Sequence, residues 1–555
     1  MALPLAAAVL ACRAPRAPAD LVIRNATVYT MNPALPAAQA LAVLNGRIVF
    51  VGSDSGVREW MGPGTEIVDG KGGMLLPGLI DSHVHPVSGV KLIACDLTAD
   101  TSAAQVAETL KGCVAAHPEA PWVRGTGWQL PVFPHASPRA ALLDSIVSDR
   151  PAFITAADGH SAWVNTRALT MAGITDRTPD PPNGRIERDA LGVPTGTLRE
   201  SAMDLLDAIL PPYTQADYIA AYTQAFTMAN SFGITAIIEA NADSAMLDAY
   251  RFMDSSGAMT VRVTAAQQVD LEKGPGQVPR LERLRERVRG RMLEANSAKI
   301  FADGVIESGT AALLEPYLNH PGDRGTPNIG PDSLNQLVVA LDRSGFQVHV
   351  HAIGDRAIRM SLDAFDYARK VNGVRDSRHI IAHLELIDPA DIPRFKALSV
   401  IADFQPLWAY KDSYIRELTE PVLGPSRSRW LYPIASVLKT GATVVGGSDW
   451  SVSSMNPFEA IQVAVTRQDP AATAGAAWIP EEIIDAESAL KAYTSNGAYA
   501  RFADSTTGSL QVGKFADLVL IDRNILAVPA HQIADTRVVL TVLEGKIVYR
   551  SEQQP

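Results

Sequence analysis

The stretch "LLPGLIDSHVHP", Leu75 to Pro86, decides the fold. An apolar, strand-like run is broken by Pro77 and Gly78 and ends in two histidines two residues apart, with a proline behind them. Residues two apart on a strand share a face, so His83 and His85 point the same way from a strand end. That is metal-ligand geometry, yet two imidazoles do not complete a site. Two structural histidines beside a turn would read the same way, and the rest of the chain has to decide.

Beyond Pro86, strand-like runs alternate with helical patterns such as "YIAAYTQAFTMANSFG" and "SLNQLVVALDRSG", the signature of βα units and a parallel sheet. Besides the run at His83, the candidates are "WVRGTGW", "AFITAADGH", "TAIIEA", "VRVTAAQ", "AKIFADG", "QVHVHAIGD", "HIIAHLEL", "VIADFQP" and "TVVGGSDW". "WVRGTGW" and "AFITAADGH" lie in a Pro-rich region, about 100–212, without the βα rhythm, and are assigned to an insertion after the first strand. The remaining eight predict a (β/α)₈ TIM-type barrel over residues 78–504.

The flanks change style. "ALAVLNGRIVFVGS" near the start and "RVVLTVLEGKIVYR" near the end alternate apolar and polar residues around Asn-Gly and Glu-Gly turns, so both read as β-hairpins. Their likeness predicts one small, β-sandwich-like domain composed of residues 21–77 and 505–555. Residues 1–20, "MALPLAAAVLACRAPRAPAD", are a short apolar segment and a Pro/Ala/Arg linker. They resemble an export signal, and "VLAC" resembles a lipoprotein cleavage box with Cys12 as the lipidated residue. The expectation is an exported protein of the periplasm or cell envelope, touching a membrane only through a lipid anchor at Cys12. A cytoplasmic protein with an N-terminal extension is the alternative.

Composition narrows the function classes. The 555 residues are 47% hydrophobic and 20% charged with a net charge of -11, a globular balance that argues against a nucleic-acid partner, which normally calls for a basic patch. "RLERLRERVRGR", Arg280 to Arg291, mixes signs and reads as a solvated helix face. Cys12, Cys95 and Cys113 fit no metal spacing; Cys95 and Cys113 would be free to pair in an oxidising compartment. A homo-oligomer is compatible with this composition and not required by it.

The other strand ends change the odds at His83. "QVHVHAIGD" ends in His351, "IIAHLEL" carries His383, "AKIFADG" carries Lys299 and "VVGGSDW" carries Asp449. Barrel active sites are assembled from several strand ends at one mouth. His349 shares a face with His351 one layer deeper and reads as a core or supporting histidine. Read from the residues alone, Lys299 is equally an inward lysine paired with Asp303 further along the same strand face.

In this arrangement the chain resembles the metal-dependent amidohydrolase superfamily. The phrases "WVRGTGW", "DGHSAWVNTRAL", "VHVHAIGDRAI" and "GSDWSV" are similar to the branch that includes N-substituted formamide deformylase. The resemblance runs from Leu21 to Arg550 and implies a ligand set: His83, His85 and Asp449 on one zinc, His351 and His383 on a second, and Lys299, carboxylated by CO₂, joining the two as a carbamate. It further implies hydrolysis of a small, non-peptide amide-type C–N bond (an N-substituted formamide, carbamate, imide or N-acyl amino acid) by a hydroxide bridging the metals, with Asp449 passing the proton to the leaving nitrogen. The insertion would lid the mouth, offering His160 and Trp128 to the substrate. Two alternatives remain: a mononuclear deaminase of the same superfamily, which usually lacks the strand-four lysine, and an inactive exported binding protein on the same fold.

Overall fold

The computed structural model describes residues 17–93 and 95–552. The export segment with Cys12 lies outside them, apart from its last few residues. No helix among the described residues is long and apolar enough to cross a membrane.

Eight parallel strands form the central sheet: β1 (Leu79–Val84), β2 (Ile234–Ala242), β3 (Arg262–Gln268), β4 (Leu293–Phe301), β5 (Gln347–Ala352), β6 (Ile380–His383), β7 (Ile401–Phe404) and β8 (Val444–Gly446). Their order in the sheet is their order in the chain, and each is one of the eight runs retained above. Covered on both faces, such strands are apolar nearly throughout, which makes each polar residue on them conspicuous. Closure between β8 and β1 rests on short contacts rather than a long ladder. The Asp449 backbone N–H donates to the His83 carbonyl at 2.7 Å, and the Ser448 N–H donates to Asp81 Oδ1 at 3.0 Å. A Cβ on Gly447 would lie 2.7 Å from the His83 backbone nitrogen, so only glycine lets the last strand come this close to the first histidine.

The helices bury one face each. "YIAAYTQAFTMANS" falls in the helix Gln215–Ser231, which starts on a Thr214/Asp217 capping box and buries Tyr218, Tyr222, Ala225, Phe226 and Ala229. The mixed-charge run is the helix Val278–Val288; it buries Val278, Leu281, Leu284 and Val288 and turns its charges outward.

Two further sheets are built from the chain ends. A four-stranded sheet uses residues 21–69, and a six-stranded one joins Thr27–Tyr29, Ala37–Ala38 and Met74–Pro77 to Leu518–Ile521, Val538–Leu543 and Lys546–Arg550. Their hairpins turn on Asn45-Gly46 (φ 52° and 75°) and Glu544-Gly545 (φ 48° and 74°), the paired left-handed residues of a type I′ turn. The sheets share one core, with Leu21, Ile23, Leu41, Val43, Leu75, Leu518, Leu520 and Leu540 in a single cluster. Arg262, at the start of β3, fixes this unit to the barrel through ion pairs to Asp517 (2.7 Å) and Glu544 (2.8 Å).

Between β1 and β2 the chain makes a separate six-stranded sheet whose strands run from Cys95 to Glu200. It docks on the loop after β7: the Tyr414 hydroxyl donates to Gln129 Oε1 at 2.8 Å and accepts the Leu130 N–H at 3.2 Å. Cys95 and Cys113 are both free thiols here.

Candidate metal centre and active site

The strand ends bring His83, His85, Lys299, His351, His383 and Asp449 to one mouth. Asp449 Oδ1 lies 3.1 Å from His85 Nε2 and 3.6 Å from His83 Nε2, and Oδ2 lies 4.0 Å from His383 Nδ1. The His83 and His383 rings are 4.7 Å apart and those of His383 and His351 4.4 Å. Lys299 Nζ stands 3.2 Å from His83 Nε2. One ligand atom each from His83, His383 and Asp449 fits within a 4.8 Å span, as it does for the deeper group His83, His349 and Asp403. Asp449 and His383 both have left-handed backbones, with φ of 51° and 78°. Such conformations are costly for non-glycine residues and collect at functional sites.

The electrostatics follow from burial. Water is excluded and the imidazoles crowd one another beside the Lys299 amine, so His83, His349, His351 and His383 are held well below the ordinary histidine range. They are neutral and offer lone pairs. His85 is the exception: burial opposes its charge, but Asp449 and Glu239 prevail and raise it. Burial brings the Lys299 ammonium down to about 8, against the pull of Asp449, Asp403 and Glu239. The salt bridge to Asp303 is not formed; that carboxylate accepts the backbone N–H groups of Ala312 (2.9 Å), Ile353 (3.0 Å) and Gly354 (2.9 Å).

Behind these residues stand partners of which the sequence reading named only His349, as a core or supporting histidine. Gln405, just past β7, takes His383 Nδ1 at 2.9 Å. Glu239 on β2 faces His85 Nδ1 at 3.6 Å and is itself held by the Tyr250 hydroxyl at 2.9 Å. His349 Nε2 meets His83 Nδ1 at 2.9 Å, with Asp403 Oδ2 at 3.8 Å from both. Asp81 accepts the His83 N–H (3.1 Å) and the Ser448 hydroxyl (2.5 Å), tying the first histidine strand to the loop that carries Asp449. Carboxylates in otherwise apolar strands, as in "TAIIEA" and "VIADFQP", were the available signal.

The insertion delivers one of its two expected residues. The His160 ring lies 5.2 Å from His351 and its Nδ1 2.9 Å from Glu200 Oε2; burial opposes its charge, but Glu200 lifts it to about 9. Trp128 does not reach the mouth, which corrects the expectation of substrate contact. It is fully buried in the insertion's own core, its Nε1–H donating to the Ile154 carbonyl at 3.1 Å. The ladder shifts register between Thr126 and Trp128, around Gly127 at φ 92°, and such a bulge re-aims the side chain that follows. The next residue, Gln129, lines the mouth instead.

Two connected cavities open from the centre. One of about 940 Å³ reaches Lys299, His85 and Asp303; the other, about 340 Å³, shares His160, His351, His383 and Asp449 with it and runs beneath Trp408. The Trp408 ring stacks on His383, 5.7 Å away and inclined by 4°.

Comparison with known proteins agrees with this geometry. Residues 66–549 match the model of the Amidohydrolase family. Protein LONG AFTER FAR-RED 3 of Arabidopsis thaliana is 32% identical over 96% of this chain and 92% of its own. N-substituted formamide deformylase of Arthrobacter pascens is 27% identical over 96% and 98%. Among solved structures, a metal-dependent hydrolase from Pyrococcus furiosus superposes with a TM-score of 0.70 at 25% identity, covering 91% of this chain and 99% of that one. A match of this extent, on a barrel whose strand ends gather histidines and an aspartate at one mouth, means that the chain belongs to the amidohydrolase family, metal-dependent hydrolases of carbon–nitrogen bonds.

Proposed function

We propose that this protein hydrolyses small, non-peptide amide-type C–N bonds at a binuclear zinc centre held by His83, His85, His351, His383, Asp449 and carboxylated Lys299. The observation that carries the reading is the convergence of neutral imidazoles on Asp449, with a buried amine at 3.2 Å from the first of them. Asp449 Oδ1 is buried and forms no well-aligned hydrogen bond, its nearest neighbour being His85 Nε2 at 3.1 Å, as fits an atom available to a cation. Neutral imidazole and carboxylate suit zinc, and a lysine whose pKa is brought down to about 8 is the kind of amine that can react with CO₂. The likeness to N-substituted formamide deformylase supports an amide substrate.

Zinc held by these residues would supply Lewis-acid chemistry, acidifying a water and polarising a carbonyl. The chain's own residues do the rest. Asp449 accepts the proton released as water attacks and returns it to the leaving nitrogen. Gln405 and Glu239 fix the rings of His383 and His85, and His160 closes the mouth on the side of His351. Water exclusion by the insertion strengthens each of these interactions.

Elemental analysis of gently purified protein should find close to two zinc ions per chain, and chelation should abolish hydrolysis across a panel of formamides, carbamates and N-acyl amino acids. Full activity with one tightly bound ion would reject the binuclear centre and favour the deaminase alternative. Glu239→Gln, which keeps the shape and weakens the hold on His85, should lower metal affinity roughly 10- to 100-fold, the usual cost of losing a residue that supports a ligand. Titration with a competing chelator measures it; unchanged affinity would show that His85 needs no such support.

A further inference from the structure

The smaller cavity has a character that the metal centre does not require. Past His383 and Trp408 its lining includes Glu307, Glu385, Asp412 and Tyr410, and no lysine or arginine lines it. Glu385 is only 4% exposed, and although the Tyr432 hydroxyl faces this carboxylate, Oε2 has no hydrogen-bond partner. Glu307 accepts the Thr419 hydroxyl at 2.5 Å. A buried carboxylate oxygen without a partner is costly unless something positive meets it.

The geometry distinguishes an organic cation from a metal ion. Only two groups of histidine, cysteine, aspartate or glutamate among the described residues converge within 4.8 Å, and neither contains Glu307, Glu385 or Asp412. The three acids line a cavity of about 340 Å³ instead of closing on a point. Aromatic faces beside them, Trp408 and Tyr410, are what a desolvated ammonium or guanidinium favours. Burial raises Glu307 and Asp412 only to about 6, whereas burial and the neighbouring Glu307 hold Glu385 well above the ordinary carboxylate range.

We infer that this cavity binds a positively charged end of the substrate, an ammonium, amidinium or guanidinium group, with Glu307, Glu385 and Asp412 as its carboxyl partners and Trp408 and Tyr410 as walls. The inference rests on the reading that an amide is hydrolysed at the adjoining histidine cluster. It names the class of amide: one whose acyl or amine part carries a fixed cation.

Two measurements on the zinc-loaded full chain test it. The first compares kcat/KM for N-formyl amides of one skeleton ending in an ammonium, a hydroxyl or a carboxylate. The ammonium member should lead the hydroxyl member by about tenfold or more, and the carboxylate member should be the poorest. The ammonium-to-hydroxyl ratio should fall by about tenfold in Glu385→Gln and in Glu307→Gln, in line with losing one partner of a buried charge pair. The second needs no turnover: calorimetric titration with 2-phenylethylguanidinium and with its neutral isostere 2-phenylethylurea. The guanidinium should bind at least about tenfold more tightly, and each Glu→Gln change should shrink the gap. Guanidinium preference without hydrolysis of any amide would uphold the inference and remove the hydrolase reading. Hydrolysis of neutral and cationic members at equal rates, with equal binding of the two probes, would overturn the inference and leave the hydrolase reading standing.

Discussion

Lys299→Ala should lose bound metal and turnover together, by more than the roughly 10- to 100-fold that removing a supporting residue costs. Lys299 is 1% exposed, with its amine 3.2 Å from His83 Nε2 and the Asp303 carboxylate taken up by backbone N–H groups. The expected salt bridge to Asp303 therefore does not account for the amine there, whereas a carbamate on it would supply the anionic ligand that neutral imidazoles cannot. The alanine variant opens a space that formate, acetate or propionate can enter. Activity should therefore return with added acid and zinc, saturably and with a dependence on acid size. Lys299→Arg should be inactive and beyond rescue, because guanidinium stays protonated, cannot take up CO₂ and fills the space. Metal analysis and acid titration of both variants decide the matter. Two metals and near-normal turnover in Lys299→Ala without any acid would reject the bridging role.

Asp449→Asn should slow the chemical step by roughly 10² to 10⁴, the usual contribution of a general acid and base. The amide keeps the carboxylate's size on a backbone at φ 51° but gives up its basicity. Oδ1, at 3.1 Å from His85 Nε2 and 3.6 Å from His83 Nε2, is the oxygen that the proposed roles as ligand and proton carrier would use. Single-turnover rates, read beside metal content, separate the two roles. A rate near wild type at unchanged metal content would leave Asp449 no part in proton transfer.

The barrel and most of its mouth were legible because a parallel strand is covered on both faces. Against a background of Val, Ile and Ala, a polar residue at a strand end marks itself, as His83, Lys299, His351, His383 and Asp449 do. The hairpins of the two chain ends were legible for a local reason: Asn45-Gly46 and Glu544-Gly545 need positive φ at both residues, and their turn type sets the register of the strands on either side. Trp128 was expected at the mouth only because the resemblance makes the insertion a lid; the register shift at Gly127 and the packing of the insertion's own core, which place it elsewhere, are not visible in its local sequence.

The sequence by itself therefore determined the order of strands, the paired turns at both ends and the residue types that meet at the mouth, all of which depend on local conformation and on the two-residue period of a strand. Only the tertiary structure decided which supporting group each histidine receives: Gln405 for His383, Glu239 for His85, and His349 for His83. These pairings join neighbouring or facing strands separated by 22 to 266 residues, and their distances are set by barrel closure and side-chain packing. The same holds for the acidic cavity, where Glu307, Glu385 and Asp412 come from the segments after β4, β6 and β7. Each is unremarkable in its own stretch, and only when loops from three strands fold over one mouth do these carboxyl groups stand together around one cavity.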